Sequence, residues 1–418
     1  MTARRLGAAL LTTAFVALLA AGPAAAAPAR PTADPAAPTP TAPVPGGPPQ
    51  GEAPDGSTVG GDGLDTRGTV VADGAPPLPE GLAAAGWLVA DATTGDVLAA
   101  RDPHGRYYPA STLKTLTLLT LAPVLDPAQV VTGTAEDENI EGSRVGLVTG
   151  GQYPVTLLFQ ALMMQSGNDA ANALARAAGG VDATVEAMNE TAARLGAYDT
   201  VAGTPSGLDV AGQSSSPYDL ALIFRALLEN PDTAAVLTTP TAQMPAIADR
   251  SPGYQIQNQN PLLASYPGNL GAKNGFTDAA RHTFVTAAER DGRRLVVSVM
   301  ATENVPLRAA DQAVLLLDWG FSVPEGADGV GRLVGPADLT TPTPAPATTT
   351  RAWPSPEAGT AAADAEDGGR SPLVPAALAG GAVLIVAATV VGRRRAVKRL
   401  PARGWPPPPS GGSPSTRR

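Results

Sequence analysis

Cysteine is absent from this chain of 418 residues, which excludes a disulfide framework, a thiol nucleophile and thiolate metal ligands. Imidazole is nearly as scarce. The two histidines, His104 and His282, lie far apart in sequence, whereas catalytic zinc usually draws on clustered His and carboxylate ligands, so neither a metal nor a cofactor is expected. Lysine is rare as well: of 29 basic side chains, only Lys114, Lys273 and Lys398 are lysines. Arginine stays charged, but a lysine can lose its proton when desolvated or placed near another cation. A chain that otherwise uses arginine is expected to keep lysine where that property matters. The formal net charge of -9 leaves no basic surface for phosphate, so no nucleic-acid partner is expected.

Branched apolar and aromatic residues are sparse in long stretches, and these divide the chain. Residues 1–26 carry Arg4 and Arg5, an apolar run from Leu6 to Ala21 and the small residues Ala24, Ala25 and Ala26, the pattern of a secretory signal peptide. Residues 27–81 are rich in Pro, Ala and Gly, cannot offset the entropy of folding, and are read as a disordered linker. A second poor stretch, 324–370, rich in Pro, Thr and Ala, reads as a stalk. Residues 371–392 carry no charge and are long enough to cross a bilayer. Arg393, Arg394, Arg395, Lys398 and Arg399 follow, so the positive-inside rule makes 393–418 a basic cytoplasmic tail. The chain is thus expected to be exported and held by a single membrane span, with its bulk outside.

The intervening residues, 82–323, have the mixed periodicity of one globular α/β domain. Trp87–Asp91 and Val97–Ala100, joined across Gly95, predict a β-hairpin. Helices are predicted over Ser111–Leu121, Leu157–Met164, Asp169–Ala178, Val181–Leu195, Tyr218–Leu228 and Ala309–Trp319. Late strands are predicted at Asn269–Ala272, Arg281–Glu289 and Leu295–Thr302, the last two joined by Asp291-Gly292. Strands at both ends with helices between them imply one sheet completed by distant segments.

Three short motifs carry chemistry. Ser111 and Lys114 stand three positions apart at the start of a predicted helix, which puts a hydroxyl and an amine on one face, the geometry of a lysine-activated serine. Ser166-Gly167-Asn168 offers a hydroxyl for proton relay and an amide for holding a peptide, although the same three residues make ordinary caps and turns. Lys273-Asn274-Gly275 places a cation beside a glycine at a strand end, where it can receive a carboxylate; an exposed turn lysine is the plain alternative. Each motif alone is weak. Their order, S-x-x-K, then S-x-N, then K-x-G, is that of penicillin-binding proteins and β-lactamases.

With the runs Pro109–Thr112, Gly167–Ala171, Pro205–Asp209 and Gly271–Lys273 added, residues 83–321 resemble the low-molecular-mass penicillin-binding D-alanyl-D-alanine carboxypeptidases. The resemblance implies a penicilloyl-serine transferase fold, an antiparallel sheet flanked by helices with a helical subdomain carrying the second motif. It implies a peptidoglycan stem peptide ending in D-Ala-D-Ala as substrate and β-lactams as covalent inhibitors. Ser111 would be the nucleophile, Lys114 its base and Ser166 the proton relay. Asn168, Lys273, Asn274 and Gly275 would bind substrate, and the backbone N–H groups of Ser111 and Phe276 would form the oxyanion hole. Asn274 departs from the family, which usually has Thr or Ser there. Two other readings share the motifs: a class A-like β-lactamase, which needs a positioned glutamate that Glu186, set with Asn189 in a helical pattern at a different spacing, does not match, and a catalytically impaired wall protein.

Overall fold

The computed structural model describes residues 51–54, 56–335 and 338–339. The strands β1 (Thr69–Val71), β2 (Gly86–Asp91) and β3 (Asp96–Arg101) come first, and a 3₁₀ turn at Ala110–Leu113 runs into α1 (Lys114–Leu121). Next follow β4 (Val130–Thr132), α2 (Ala135–Asn139), β5 (Gln152–Pro154), α3 (Val155–Met164), α4 (Asn168–Ala177), α5 (Val181–Leu195), α6 (Pro217–Glu229) and α7 (Pro231–Thr238). The hairpin β6 (Thr241–Met244) and β7 (Tyr254–Gln257) and a short α8 (Leu262–Ser265) lead to β8 (Asn269–Thr277), β9 (Arg281–Arg290), β10 (Arg293–Thr302), α9 (Ala309–Ser322) and β11 (Gly331–Arg332).

Both ends of the chain build one antiparallel sheet in the order β1-β3-β2-β10-β9-β8, with β11 also on β3. The central strands β2 and β10 are buried along most of their length and largely apolar because both faces are covered. Leu88, Ala90, Val285 and Val296 pack with α1, α3 and α6 in one core, while Trp87, Val89, Leu295 and Val297 pack with Ala313, Leu316 and Leu317 of α9 in another. The expected hairpin, the late strands and the distant completion of the sheet are all present.

Three boundaries need correction. The expected linker does not extend to residue 81: β1 pairs with β3, Val59 and Leu64 are buried, and Gly51 N–H and the Val59 carbonyl bind Asp199 and His104. Anchors packed on an existing core, together with the backbone pairing of β1 on β3, order a segment that could not form a core itself. The same argument corrects the other flank. Residues just past 323 are not stalk, since β11 joins the sheet, Leu333 is fully buried, and the Arg332 carbonyl accepts the Tyr218 hydroxyl at 2.8 Å. Finally, β8 runs to Thr277 and takes in the third motif, because pairing with β9 overrides the weak strand preference of Lys, Asn and Gly.

The expected signal peptide (1–26), membrane span (371–392) and basic tail (393–418) lie outside the described residues. Among the described residues no helix is long and apolar enough to cross a membrane.

Candidate active site

Ser111 does not start an α-helix, as its sequence suggested, but sits in the 3₁₀ turn that feeds α1. The difference sharpens the geometry, since side chains three apart eclipse in a 3₁₀ turn. Lys114 Nζ lies 3.0 Å from Ser111 Oγ. The turn is pinned from several sides: Ala110 has a positive φ of 49°, and the Pro109 carbonyl accepts the Thr112 hydroxyl at 2.5 Å and the Thr283 hydroxyl of β9 at 2.9 Å. Two glycines permit this crowding. A Cβ on Gly207 would stand 1.9 Å from the Ala110 carbonyl oxygen, and one on Gly275 would stand 2.8 Å from the Ser111 amide nitrogen.

Lys114 is fully buried, and its amine has three neighbours: Ser111 Oγ, Asn168 Oδ1 at 2.7 Å and the Ser206 carbonyl at 2.6 Å. Asn168 is oriented without ambiguity, because its Nδ2 donates to the Glu141 carbonyl at 2.7 Å and its Oδ1 must therefore face the lysine. Asn168 Oδ1 and the Ser206 carbonyl can only accept. A neutral amine has two N–H groups, which these two acceptors take, and its lone pair is left facing the serine hydroxyl. Burial first, and then the charge of Lys273, hold the Lys114 amine well below the usual lysine range, with Asp169 opposing.

Lys273, equally buried on β8, is brought down to about 7 by burial. Its Nζ donates to the Asn274 carbonyl at 2.6 Å and to Asn274 Oδ1 at 3.2 Å, so the residue that departs from the family pattern covers this cation. Gly275 faces the Ser111 amide, and Phe276, half exposed, follows it on the same strand. Ser166 is buried at the end of α3 with φ 57°, but its hydroxyl takes no part in the hydrogen bonds of Lys114. The structure thus joins Ser111, Lys114 and Asn168 through the Lys114 amine, sets Gly275 against the Ser111 amide, and lets the charge of Lys273 bear on Lys114.

Arg281 pairs with Glu303 at 2.7 Å, and His282 stacks on Phe276 with ring centroids 4.5 Å apart. Glu186 is exposed on α5, and none of the three groups around the Lys114 amine is a carboxylate, so the β-lactamase reading finds no glutamate here.

Sequence reasoning missed the Ser206 carbonyl and the loop carbonyls of Glu141 and Ser143; the latter accepts the Asn168 amide at 2.7 Å. Backbone acceptors leave no mark in residue type. The glycines beside them do, for Gly207 follows Ser206, and Gly142 passes so close that a Cβ there would stand 2.6 Å from Asn168 Nδ2.

Comparison with known proteins identifies the family. A family model described as D-alanyl-D-alanine carboxypeptidase matches residues 72–304. The chain is 45% identical over 256 residues to the D-alanyl-D-alanine carboxypeptidase DacB2 of Mycobacterium tuberculosis, an alignment covering 60% of this chain and 86% of that protein. It is 33% identical over 258 residues to DacD of Escherichia coli, covering 58% of this chain and 64% of that one. Among solved structures, a D-alanyl-D-alanine carboxypeptidase from Mycobacterium tuberculosis superposes with a TM-score of 0.60 at 43% identity, covering 63% of this chain and 100% of that one. The Streptomyces K15 DD-transpeptidase superposes with a TM-score of 0.56 at 26% identity, covering 59% of this chain and 100% of that one.

Proposed function

The chain belongs to the D-alanyl-D-alanine carboxypeptidase family and is a serine hydrolase of penicilloyl-serine transferase fold, and from this we propose how its own residues remove the terminal D-alanine of a peptidoglycan stem peptide. As Ser111 Oγ attacks the carbonyl between the last two D-alanines, its proton passes to the lone pair of Lys114. The N–H groups of Ser111 and Phe276 hold the developing oxyanion, a contribution commonly worth about 3–4 kcal/mol. Lys273 holds the terminal carboxylate and the second Nδ2 hydrogen of Asn168 holds the peptide. The C–N bond then breaks, Lys114 gives up the proton, which Ser166 relays to the leaving amine, and water hydrolyses the Ser111 ester, regenerating the serine hydroxyl. β-Lactams stop at the ester stage.

The observation that carries this reading is the buried amine whose two other neighbours can only accept, so that in its neutral form, which burial favours, the lone pair faces Ser111 Oγ. We expect the purified protein to release D-alanine from a pentapeptide ending in D-Ala-D-Ala, and mass spectrometry of the penicillin-treated protein to place the adduct on Ser111. Labelling without D-alanine release would support the impaired wall protein instead. Export through residues 1–26 and anchoring through 371–392, with the catalytic domain outside, belong to the same proposal; the charge pattern around those segments and an extracellular substrate support them.

Asn274 sets a limit on turnover in this scheme. Its amide oxygen occupies the Lys273 amine to which the substrate carboxylate must come. Asn274→Thr replaces it with a small rotating hydroxyl and suits a strand better. D-alanine release should rise about fivefold, the worth of one hydrogen bond. The side chain is exposed, so stability should stay within about 0.5 kcal/mol. Identical steady-state kinetics for the two forms would remove any role for this position.

A further inference from the structure

Resting on the Ser111 and Lys114 reading above, we propose that Asp169 is a positioning residue for acylation, its carboxylate fixing the loop whose carbonyls hold Asn168 against Lys114. Residues 140–148 form neither helix nor strand, yet they wall the site. Asp169, at the start of α4 and fully buried, gathers them: Oδ1 accepts the Val145 N–H at 2.9 Å, and Oδ2 accepts the N–H groups of Gly146 at 2.8 Å and Leu147 at 2.9 Å. Oδ1 also takes the Ala170 N–H at 3.0 Å. Two oxygens thus receive four donors. An asparagine, in either orientation, would turn an NH₂ group toward two of them.

The loop passes this order to the chemistry. Glu141 and Ser143 present their carbonyls to Asn168 Nδ2 and N, and Asn168 Oδ1 takes one proton of the Lys114 amine. If the loop drifts, the amide that aims the lone pair drifts with it. The far end of the loop is held on the surface, where the Glu138 carboxylate accepts the Thr149 N–H and hydroxyl and the Arg250 guanidinium. Those bonds, the Thr149 hydroxyl first, hold Glu138 at about 2.

Asp169 also acts through its charge. Lys273 on β8 and Asp169 on α4 are the charges that bear on Lys114, with opposite effects. The Asp169 charge also bears on the Tyr153 and Tyr254 phenols, and burial, the larger cause, keeps both protonated beyond the usual tyrosine range. Removing the Asp169 charge takes away support for the Lys114 ammonium, so the amine is neutral at lower pH.

The test is the second-order rate of Ser111 labelling by a fluorescent penicillin, followed across pH on the full chain. Asp169→Asn should lower the plateau about 10- to 100-fold, as small misplacements of a base do, and move the acid limb to lower pH, with the adduct still on Ser111. A role confined to folding would leave the limb where it is. Glu138→Ala releases the loop from its exposed end without touching the buried charge, and should slow labelling about fivefold with the limb unmoved. Asp169→Asn labelling with the wild-type rate and profile overturns the proposal; should that variant fail to fold, Glu138→Ala labelling at the wild-type rate overturns it alone. A wild-type chain with no adduct on Ser111 overturns the underlying reading of the site, and is told apart because no variant is then needed.

Discussion

Ser111→Ala is expected to form no β-lactam adduct and to lose D-alanine release by about 10⁴-fold or more, while folding as the wild type does. The first effect follows from covalent catalysis: without Oγ there is no atom to carry the acyl group, and the oxyanion N–H groups and Lys273 retain only the residual catalysis of binding and electrostatics. The second follows from the contacts. Among the described residues the serine hydroxyl hydrogen-bonds only with the Lys114 amine, and that amine keeps Asn168 Oδ1 and the Ser206 carbonyl when the hydroxyl goes. The pinned turn is held by the Pro109 carbonyl, Gly207 and Gly275, none of which the substitution touches. A stability change of about 1 kcal/mol or less is therefore expected, measured by thermal unfolding. An undiminished adduct in the alanine variant would place the nucleophile elsewhere.

How much of this was legible in the residues depends on where each constraint is written. Ser111 and Lys114 could be paired from spacing alone, because their separation is local and any helical turn brings them together. The third motif was found by its residues but set at the wrong place in its strand, since the pairing that extends β8 comes from β9 and is not local. Asp169 stood within a run that resembled the family, yet its role depends on a loop more than twenty positions earlier in the chain. The flanks at 51–81 and 324–335 were misread for the opposite reason. Composition describes what a segment can do by itself, and these segments are ordered by a core and a sheet edge that other residues supply, through anchors such as Val59, Leu64 and Leu333 and the pairing of β1 and β11 with β3.

The scarcity of lysine gives the other large prediction, in which exchanging each buried lysine for arginine separates their tasks. Lys114 must be neutral to take the serine proton, and Lys273 must be charged to hold a carboxylate. Burial, aided at Lys114 by the charge of Lys273, pushes both amines down, Lys273 to about 7. The kcat/KM profile for D-alanine release should therefore be bell-shaped: it rises as Lys114 loses its proton and falls above about pH 7 as Lys273 loses its own. In kcat the falling limb should lie at higher pH, because a bound carboxylate favours the ammonium form. Arginine cannot shed its proton in this range. Lys114→Arg should lose about 10³-fold or more in acylation at every pH, since general-base catalysis is worth up to ~10⁴-fold and no neutral form exists to supply it. Lys273→Arg should keep turnover within about tenfold and lose the falling limb, while its permanent charge leaves the rising limb in place. A falling limb that survives Lys273→Arg would assign that ionisation to another group, and acylation that survives Lys114→Arg would show that the serine proton leaves by a path that does not pass through the buried amine.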